Sequence, residues 1–199
     1  MIPDSSPLGM PVAVKPAASG SSIGLSLVFE EKDFQAACKE AFRHSSKILI
    51  ERYIDGRELT IGILGGEALP VVEEIPQRRF YDYEAKYGNS GTRYECTAKI
   101  GDQQAAEAQA TALKVFQVLG CRAMTRVDIL LDRKTGELFV LEANSIPGLT
   151  GKSLLPKAAK AKGIEFPELC VKIMELSWSH CETGQKSFEE KKSTQQLGA

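Results

Sequence analysis

Histidine is nearly missing from this sequence. His44 and His180 are the only two in 199 residues; they stand in unrelated contexts and read as surface or local structural residues, which argues against a Ser-His-Asp centre. Cysteine is no more help to a site. The five cysteines, Cys38, Cys96, Cys121, Cys170 and Cys181, are scattered and odd in number, and no two form a C-x-x-C pair. A disulfide framework or zinc site is therefore unsupported, and reduced cytosolic thiols are the simpler reading. Charge of one sign is lacking too: the formal net charge is -1, so no global field favours nucleic acid or an anionic membrane surface. No apolar run is long enough to cross a bilayer, and Met1 to Leu8 shows no basic segment leading into an apolar one, so no secretion signal is expected. Neither G-x-x-x-x-G-K-[ST] nor G-x-G-x-x-G occurs, which leaves P-loop and Rossmann mechanisms without support. No internal repeat is found. These absences predict a cytoplasmic protein with neither a nucleic-acid nor a membrane partner.

What is present is the balance of an ordinary globular chain, 43% hydrophobic and 26% charged, enough for one domain or two small lobes around a cleft. Pro11 to Val14 reads as a short buried strand ending at Lys15-Pro16, before a Gly/Ser loop over Ser19 to Gly24 and an apolar run from Leu25 to Phe29. Glu30 to Arg43 has helical spacing, with Phe34, Ala37, Cys38, Ala41 and Phe42 on one side. Lys47 to Ile54 and Glu58 to Leu64 read as strands around an Asp55-Gly56 turn. Gly65-Gly66 then turns the chain into a third strand, Ala68 to Val72. Arg78 to Arg93 reads as a long ordered loop of the functional kind, rich in tyrosine. Gln103 to Leu119 is the strongest helix, closed by Gly120. Ala123 to Asp132 and Glu137 to Ala143 are strands joined through Lys134-Thr135-Gly136. Helices are expected over Ser153 to Ala161 and Phe166 to Leu176, and a polar tail from Trp178 onward.

The last hairpin carries the most chemistry. Side chains alternate along a strand, so Arg126 and Asp128 share one face and Val127, Ile129 and Leu131 the other. Glu142 and Asn144 likewise share a face, together with Val140. If Asp132 pairs near Leu138, Asp128 falls opposite Glu142 and Arg126 opposite Asn144. That gathers two carboxylates, an amide oxygen and a guanidinium, a hard-oxygen set suited to magnesium. A salt-bridged solvent face would show the same residue types. The continuation Ser145-Ile-Pro-Gly-Leu-Thr150 favours a ligand site, because Gly148 lets backbone approach closely and Ser153 offers a hydroxyl at a helix N-terminus.

Two further segments are weaker signals taken singly. Lys15 can reach phosphate oxygens, and Gly20-Ser-Ser-Ile-Gly24 offers hydroxyls and N–H groups to close over phosphates, although a plain Gly/Ser turn has the same composition. Glu51 and Glu58 flank an apolar, turn-forming segment. In the loop Phe80 to Tyr87, Lys86 could meet a phosphate and Tyr87 could shape a pocket; an aromatic-anchored surface loop is the plain alternative.

Taken in order, PVAVKP, GSSIG, ILIERYIDGRELTIGIL, FYDYEAKY, TRVDILLD, LEANSIPGLT and KSLLPKAA resemble the ATP-grasp superfamily, and within it the D-alanine–D-alanine ligases. The resemblance runs from about Gly9 to Leu176 and lacks the family's N-terminal domain. It implies an α+β ATP-grasp fold, in which two lobes with antiparallel sheets clasp ATP. Residues 1–57 would be the remainder of the central lobe, 58–177 the C-terminal lobe with the metal site, and 178–199 the tail.

The resemblance also implies roles. Lys15 and Lys86 would contact ATP phosphates, Glu51 and Glu58 would hold adenine and ribose, and backbone near Ile54 would line the base. Asp128, Glu142 and Asn144 would bind two magnesium ions, with manganese as a substitute. Arg126 would stabilise the tetrahedral transition state, helped by backbone at Gly148. Ser21 and Tyr87 would close the active site, and Ser153 would fix the substrate carboxylate. Lys86-Tyr87 favours D-alanine over D-lactate as second substrate, and the family suggests a homodimer. The chain departs from the family at Ala18-Ser19, where Arg-Glu is usual, and at Ala123-Met124-Thr125. Two other readings stay open: a catalytically incomplete Mg-ATP-binding fragment, and an ATP-grasp ligase for another acid and amine.

Overall fold

The computed structural model describes residues 4–20, 22–75 and 93–179. They divide into two compact units, one comprising Met1–Asp55 and Ile75–Arg93, the other Gly56–Glu74 and Tyr94–Ala199. In the first unit, β1 (Val12–Pro16) is the middle strand between β2 (Ser26–Val28) and β3 (Ile48–Arg52), antiparallel to both. Alternation puts Val12 and Val14 of β1 on the inner face. There they meet Phe34, Ala37, Cys38 and Ala41 of helix α1 (Glu31–His44), with Val28 closing the layer. Glu31 and Asp33 in the first turn of α1 and Arg43 and His44 in its last turn complement the helix dipole. Phe42, expected on the buried side, is 39% exposed. The buried stripe is therefore the narrower one of Phe34, Ala37, Cys38 and Ala41.

The second unit is a six-stranded sheet. Its path is β7 (Arg93–Cys96), β6 (Val72–Ile75), β4 (Gly56–Leu64), β8 (Met124–Asp132) and β9 (Leu138–Asn144), with β5 (Glu67–Ala68) pairing off β4. Gly56 is a strand residue rather than part of a turn, because it pairs with Asp132 of β8. Gly65 and Gly66 both have positive φ, 60° and 84°, as a two-residue hairpin turn requires. The expected strand over Ala68 to Val72 is broken: Pro70 has no N–H to give a ladder, and pairing resumes only at Val72 in β6.

One face of this sheet, with Leu59, Ile61, Ile63, Val127, Ile129 and Leu131, is buried against Ala108 and Ala112 of helix α2 (Asp102–Val118). Gly120 (φ 63°) closes α2, its N–H reaching Gln117 O at 3.1 Å and that of Cys121 reaching Phe116 O at 3.0 Å. The opposite face receives helix α3 (Leu154–Ala161), whose Leu155 packs so tightly over Gly62 that a Cβ there would come within 2.6 Å of Leu155 Cδ1. A fourth helix, α4, over residues 166–179, adds Leu169 and Ile173 to that layer. Trp178 and Ser179 thus belong to a helix, not to the expected tail. Among the described residues no helix is long and apolar enough to cross a membrane.

Candidate active site

The hairpin of β8 and β9 holds the expected opposition: Asp128 is the partner of Glu142, and Arg126 of Asn144. A bulge makes it so. Near the turn Leu131 pairs with Leu138 and Ile129 with Val140, and the register slips between Ile129 and Asp128. One extra residue, Leu141, shifts the strand by a position. Val140 therefore lies opposite Ile129, away from the Asp128 face, and not with Glu142 as strict alternation predicted. The strand end is pinned by Thr125, whose hydroxyl donates to Asn144 O at 2.8 Å.

Asp128 is 2% exposed and densely bonded. Its Oδ1 accepts from Arg126 Nε at 3.0 Å and from the Thr60 hydroxyl at 2.8 Å. Its Oδ2 accepts from an Arg126 terminal nitrogen at 2.7 Å and from Asn144 Nδ2 at 3.4 Å. The same amide donates to Glu142 Oε1 at 3.3 Å. Thr60 sits opposite Asp128 on β4, and its Oγ1 lies 3.3 Å from Glu74 Oε1. Burial pulls the Arg126 pKa down, but the charge and hydrogen bonds of Asp128, with Glu74 and Glu142 behind, outweigh it and leave the pKa above the ordinary arginine value. Arg126 is therefore a permanent cation facing three carboxylates.

Gly148 and Ser153 also come together. A Cβ on Gly148 would lie 2.8 Å from Ser153 Oγ. Ser153 holds the N-cap position of α3, yet its hydroxyl is turned away from the helix N–H groups. It accepts from Thr150 N at 3.1 Å and contacts Thr150 Oγ1 at 2.9 Å, tying the Pro-Gly turn to the helix start.

In the first unit Lys15 Nζ pairs with Glu51 Oε2 at 2.7 Å, so these two expected nucleotide contacts are bonded to each other. Gly24 (φ 74°) ends the Gly/Ser loop against Pro16 and His44, where any Cβ would clash. Ile54 belongs to this unit, and Glu58 to the other, on β4 opposite Glu74. Ser21, Lys86 and Tyr87 lie outside the described residues.

Sequence reasoning missed Thr60 and Glu74. The only trace of Thr60 is a hydroxyl inside the run Leu59-Thr-Ile-Gly-Ile-Leu64. Glu74 was hidden because it joins the site face through the β4–β6 pairing. It also missed Arg57, which donates through Nε to Glu73 Oε1 at 2.7 Å and through a terminal nitrogen to Lys99 O at 3.1 Å. Lys157 was missed as well; it stands 3.7 Å over the Tyr94 ring. Burial holds Lys157 below the ordinary lysine value, against the opposing pull of Cys96 and Glu74.

Among the described residues no group of three or more His, Cys, Asp and Glu is arranged to hold a metal. A cation here would rest on two carboxylates and an amide, a set that magnesium accepts when water and phosphate oxygens complete its shell. Asp128, buried, and Glu142, its cross-strand partner, are the two carboxylates of that set.

Residues 4–175 match the family model described as D-ala D-ala ligase C-terminus. The D-alanine–D-alanine ligase of Methylacidiphilum infernorum (isolate V4) is 46% identical over 172 residues, covering 86% of this chain and 56% of that protein. The D-alanine–D-alanine ligase from Coxiella burnetii superposes with a TM-score of 0.82 at 26% identity, over 93% of this chain and 50% of the other. The Bacillus anthracis ligase complexed with ATP gives 0.72 at 28%, over 88% and 54%. The chain thus spans just over half the length of the curated relatives it matches. With its α+β ATP-grasp architecture and motif-bearing hairpin, the chain belongs to the D-alanine–D-alanine ligase family, over the region that the family model calls the C-terminus.

Proposed function

We propose that this chain is the ATP- and metal-binding part of a cytoplasmic ligase that joins two D-alanines into D-alanyl-D-alanine for peptidoglycan precursors. The observation that carries the proposal is the face shared by Arg126, Asp128, Glu142 and Asn144. It joins an oxygen donor set to a fixed cation.

The reaction has two steps. A carboxylate oxygen of the first D-alanine attacks the γ-phosphorus of ATP, forming an acyl phosphate and releasing ADP. The amine of the second D-alanine then attacks the acyl carbon; phosphate leaves and the amine loses a proton. Asp128, Glu142 and the Asn144 amide oxygen would hold magnesium, which when bound offsets the charge of the phosphates. Arg126 is aimed by its two bonds to Asp128, so its charge needs little rearrangement to stabilise the oxyanion of the second step. Gly148 brings backbone close to the same oxyanion, and Ser153 with the start of α3 receives the substrate carboxylate. Lys15 reaches phosphate by exchanging its bond to Glu51, which then turns with Glu58 and the Ile54 backbone to the nucleoside. Ser21, Lys86 and Tyr87 would close over the acyl phosphate and keep water out. Assembly as a homodimer belongs to the same reading and is checked by sedimentation.

Phosphate release from Mg-ATP with and without D-alanine tests the proposal, with Glu142→Gln as control. D-alanine-dependent release that the control loses is the expected result. No release from a chain that still binds Mg-ATP would favour the second reading, a nucleotide-binding portion that needs the rest of the ligase for turnover. Release with another acid and amine but not with D-alanine would sink the substrate assignment.

A further inference from the structure

We infer that Thr60 is a positioning residue of the metal centre, a hydroxyl that fixes the carboxylate of Asp128 from the neighbouring strand and keeps Glu74 apart from it; the inference rests on the metal-site reading above. Thr60 is fully buried on β4, directly opposite Asp128 on β8, and its Oγ1 is 2.8 Å from Asp128 Oδ1 and 3.3 Å from Glu74 Oε1. A hydroxyl has a single proton, so one short bond goes to Asp128 while Glu74 stands as the longer, alternative acceptor. A carboxylate offers about four acceptor positions. Those of Asp128 are taken by two nitrogens of Arg126, by Thr60 and by Asn144. The Asn144 contact, at 3.4 Å, is the longest and gives way with the least loss. A cation can therefore enter on the Asn144 and Glu142 side, while Thr60 and Arg126 hold the far edge of the carboxylate in place. Without the Thr60 hydroxyl, Oδ1 depends on Arg126 Nε alone.

The test reads cation binding directly, by calorimetric titration of the 199-residue chain with Mn2+ as probe, in the presence and absence of ADP. Thr60→Val keeps the shape and removes the donor. It should weaken Mn2+ by about 10-fold to 100-fold, the range typical of groups that orient metal ligands. Thr60→Ser keeps the hydroxyl and should restore binding to near the original. Thr60→Cys, a weak donor of nearly the same size, serves if the valine variant does not fold, and should weaken binding in the same direction. Glu142→Gln and Asp128→Asn are the controls. Unchanged binding in Thr60→Val or Thr60→Cys, with binding lost in both controls, overturns the role of Thr60 and leaves the metal centre standing. Unchanged binding in the two controls overturns the metal centre, and the role of Thr60 with it.

Discussion

Asp128 accepts from donors on three strands, Thr60 on β4, Arg126 on its own β8 and Asn144 on β9. Burying a polar group this deeply is costly unless such donors satisfy it. At the same scale Gly148 is required by contact: Gly148→Ala would force its Cβ against Ser153 Oγ, 2.8 Å away. Relief means moving the Thr150–Ser153 bonds, a cost of about 1–3 kcal/mol for overpacking. Thermal melts should show that loss, and D-alanine-dependent phosphate release should fall further than the melt alone accounts for. Asp132 offers a pH test. The backbone N–H groups of Thr135 and Lys134 hold its carboxylate below the ordinary value. A depressed folded-state pKa means stability present above the unfolded pKa, about 4 for aspartate, and lost as pH falls through the folded one. Asp132→Asn should therefore lower the melting temperature near neutral pH, and its difference from the parent should shrink as pH drops below about 4. A difference that stays constant with pH would contradict this account.

Elements place these residues by what they bury. The β4–β8–β9 sheet is largely apolar on the α2 side, where the Arg57–Glu73 pair is bonded to itself, while Thr60, Arg126 and Asp128 fall on the other side, the one that packs α3 over Gly62. Leu155 is the anchor of that packing and is fully buried. Leu155→Ala should cost about 2–5 kcal/mol, as for other buried leucines, and denaturant unfolding would measure it. Because α3 carries Ser153, the same variant should loosen the turn at Gly148. Gly120→Ala is a milder case: its φ of 63° closes α2, and an L side chain there costs about 1 kcal/mol. A melt unchanged by that substitution would mean that the α2 end does not hold this conformation in solution. Most elements were legible from sequence because hydrophobic period and turn residues agree locally; α2 with Gly120 is the clearest example. The missed boundaries have physical causes. Pro70 splits one expected strand into β5 and β6, and the bulge at Leu141 moves Val140 across the sheet.

At the scale of the whole molecule, the residues proposed for nucleotide and metal come from two compact units, Lys15 and Glu51 from one, Glu58, Asp128 and Glu142 from the other. A ligand that binds only the folded chain adds stability by mass action, about 2.7 kcal/mol at one hundred times its dissociation constant. A non-hydrolysable ATP analogue with Mg2+ should therefore raise the melting temperature. Glu142→Gln should lose the metal-dependent part of the shift, and Lys15→Ala the nucleotide-dependent part. Shifts unaffected by either substitution would place nucleotide binding elsewhere on the chain.

The sequence by itself determined the strand alternation of β8, the glycine-closed turns and the run of motifs that marks the family, because each depends on neighbours close along the chain. Even the opposition of Asp128 to Glu142 was legible, although the bulge that produces it was not. Only the tertiary structure decided which groups complete the site. Thr60 reaches Asp128, and Glu74 reaches Thr60, through strand pairing across long stretches of chain, and Lys15 meets Glu51 through the β1–β3 ladder. Residue spacing carries no record of such contacts. They arise when buried charges must find donors, and folding brings those donors from elsewhere.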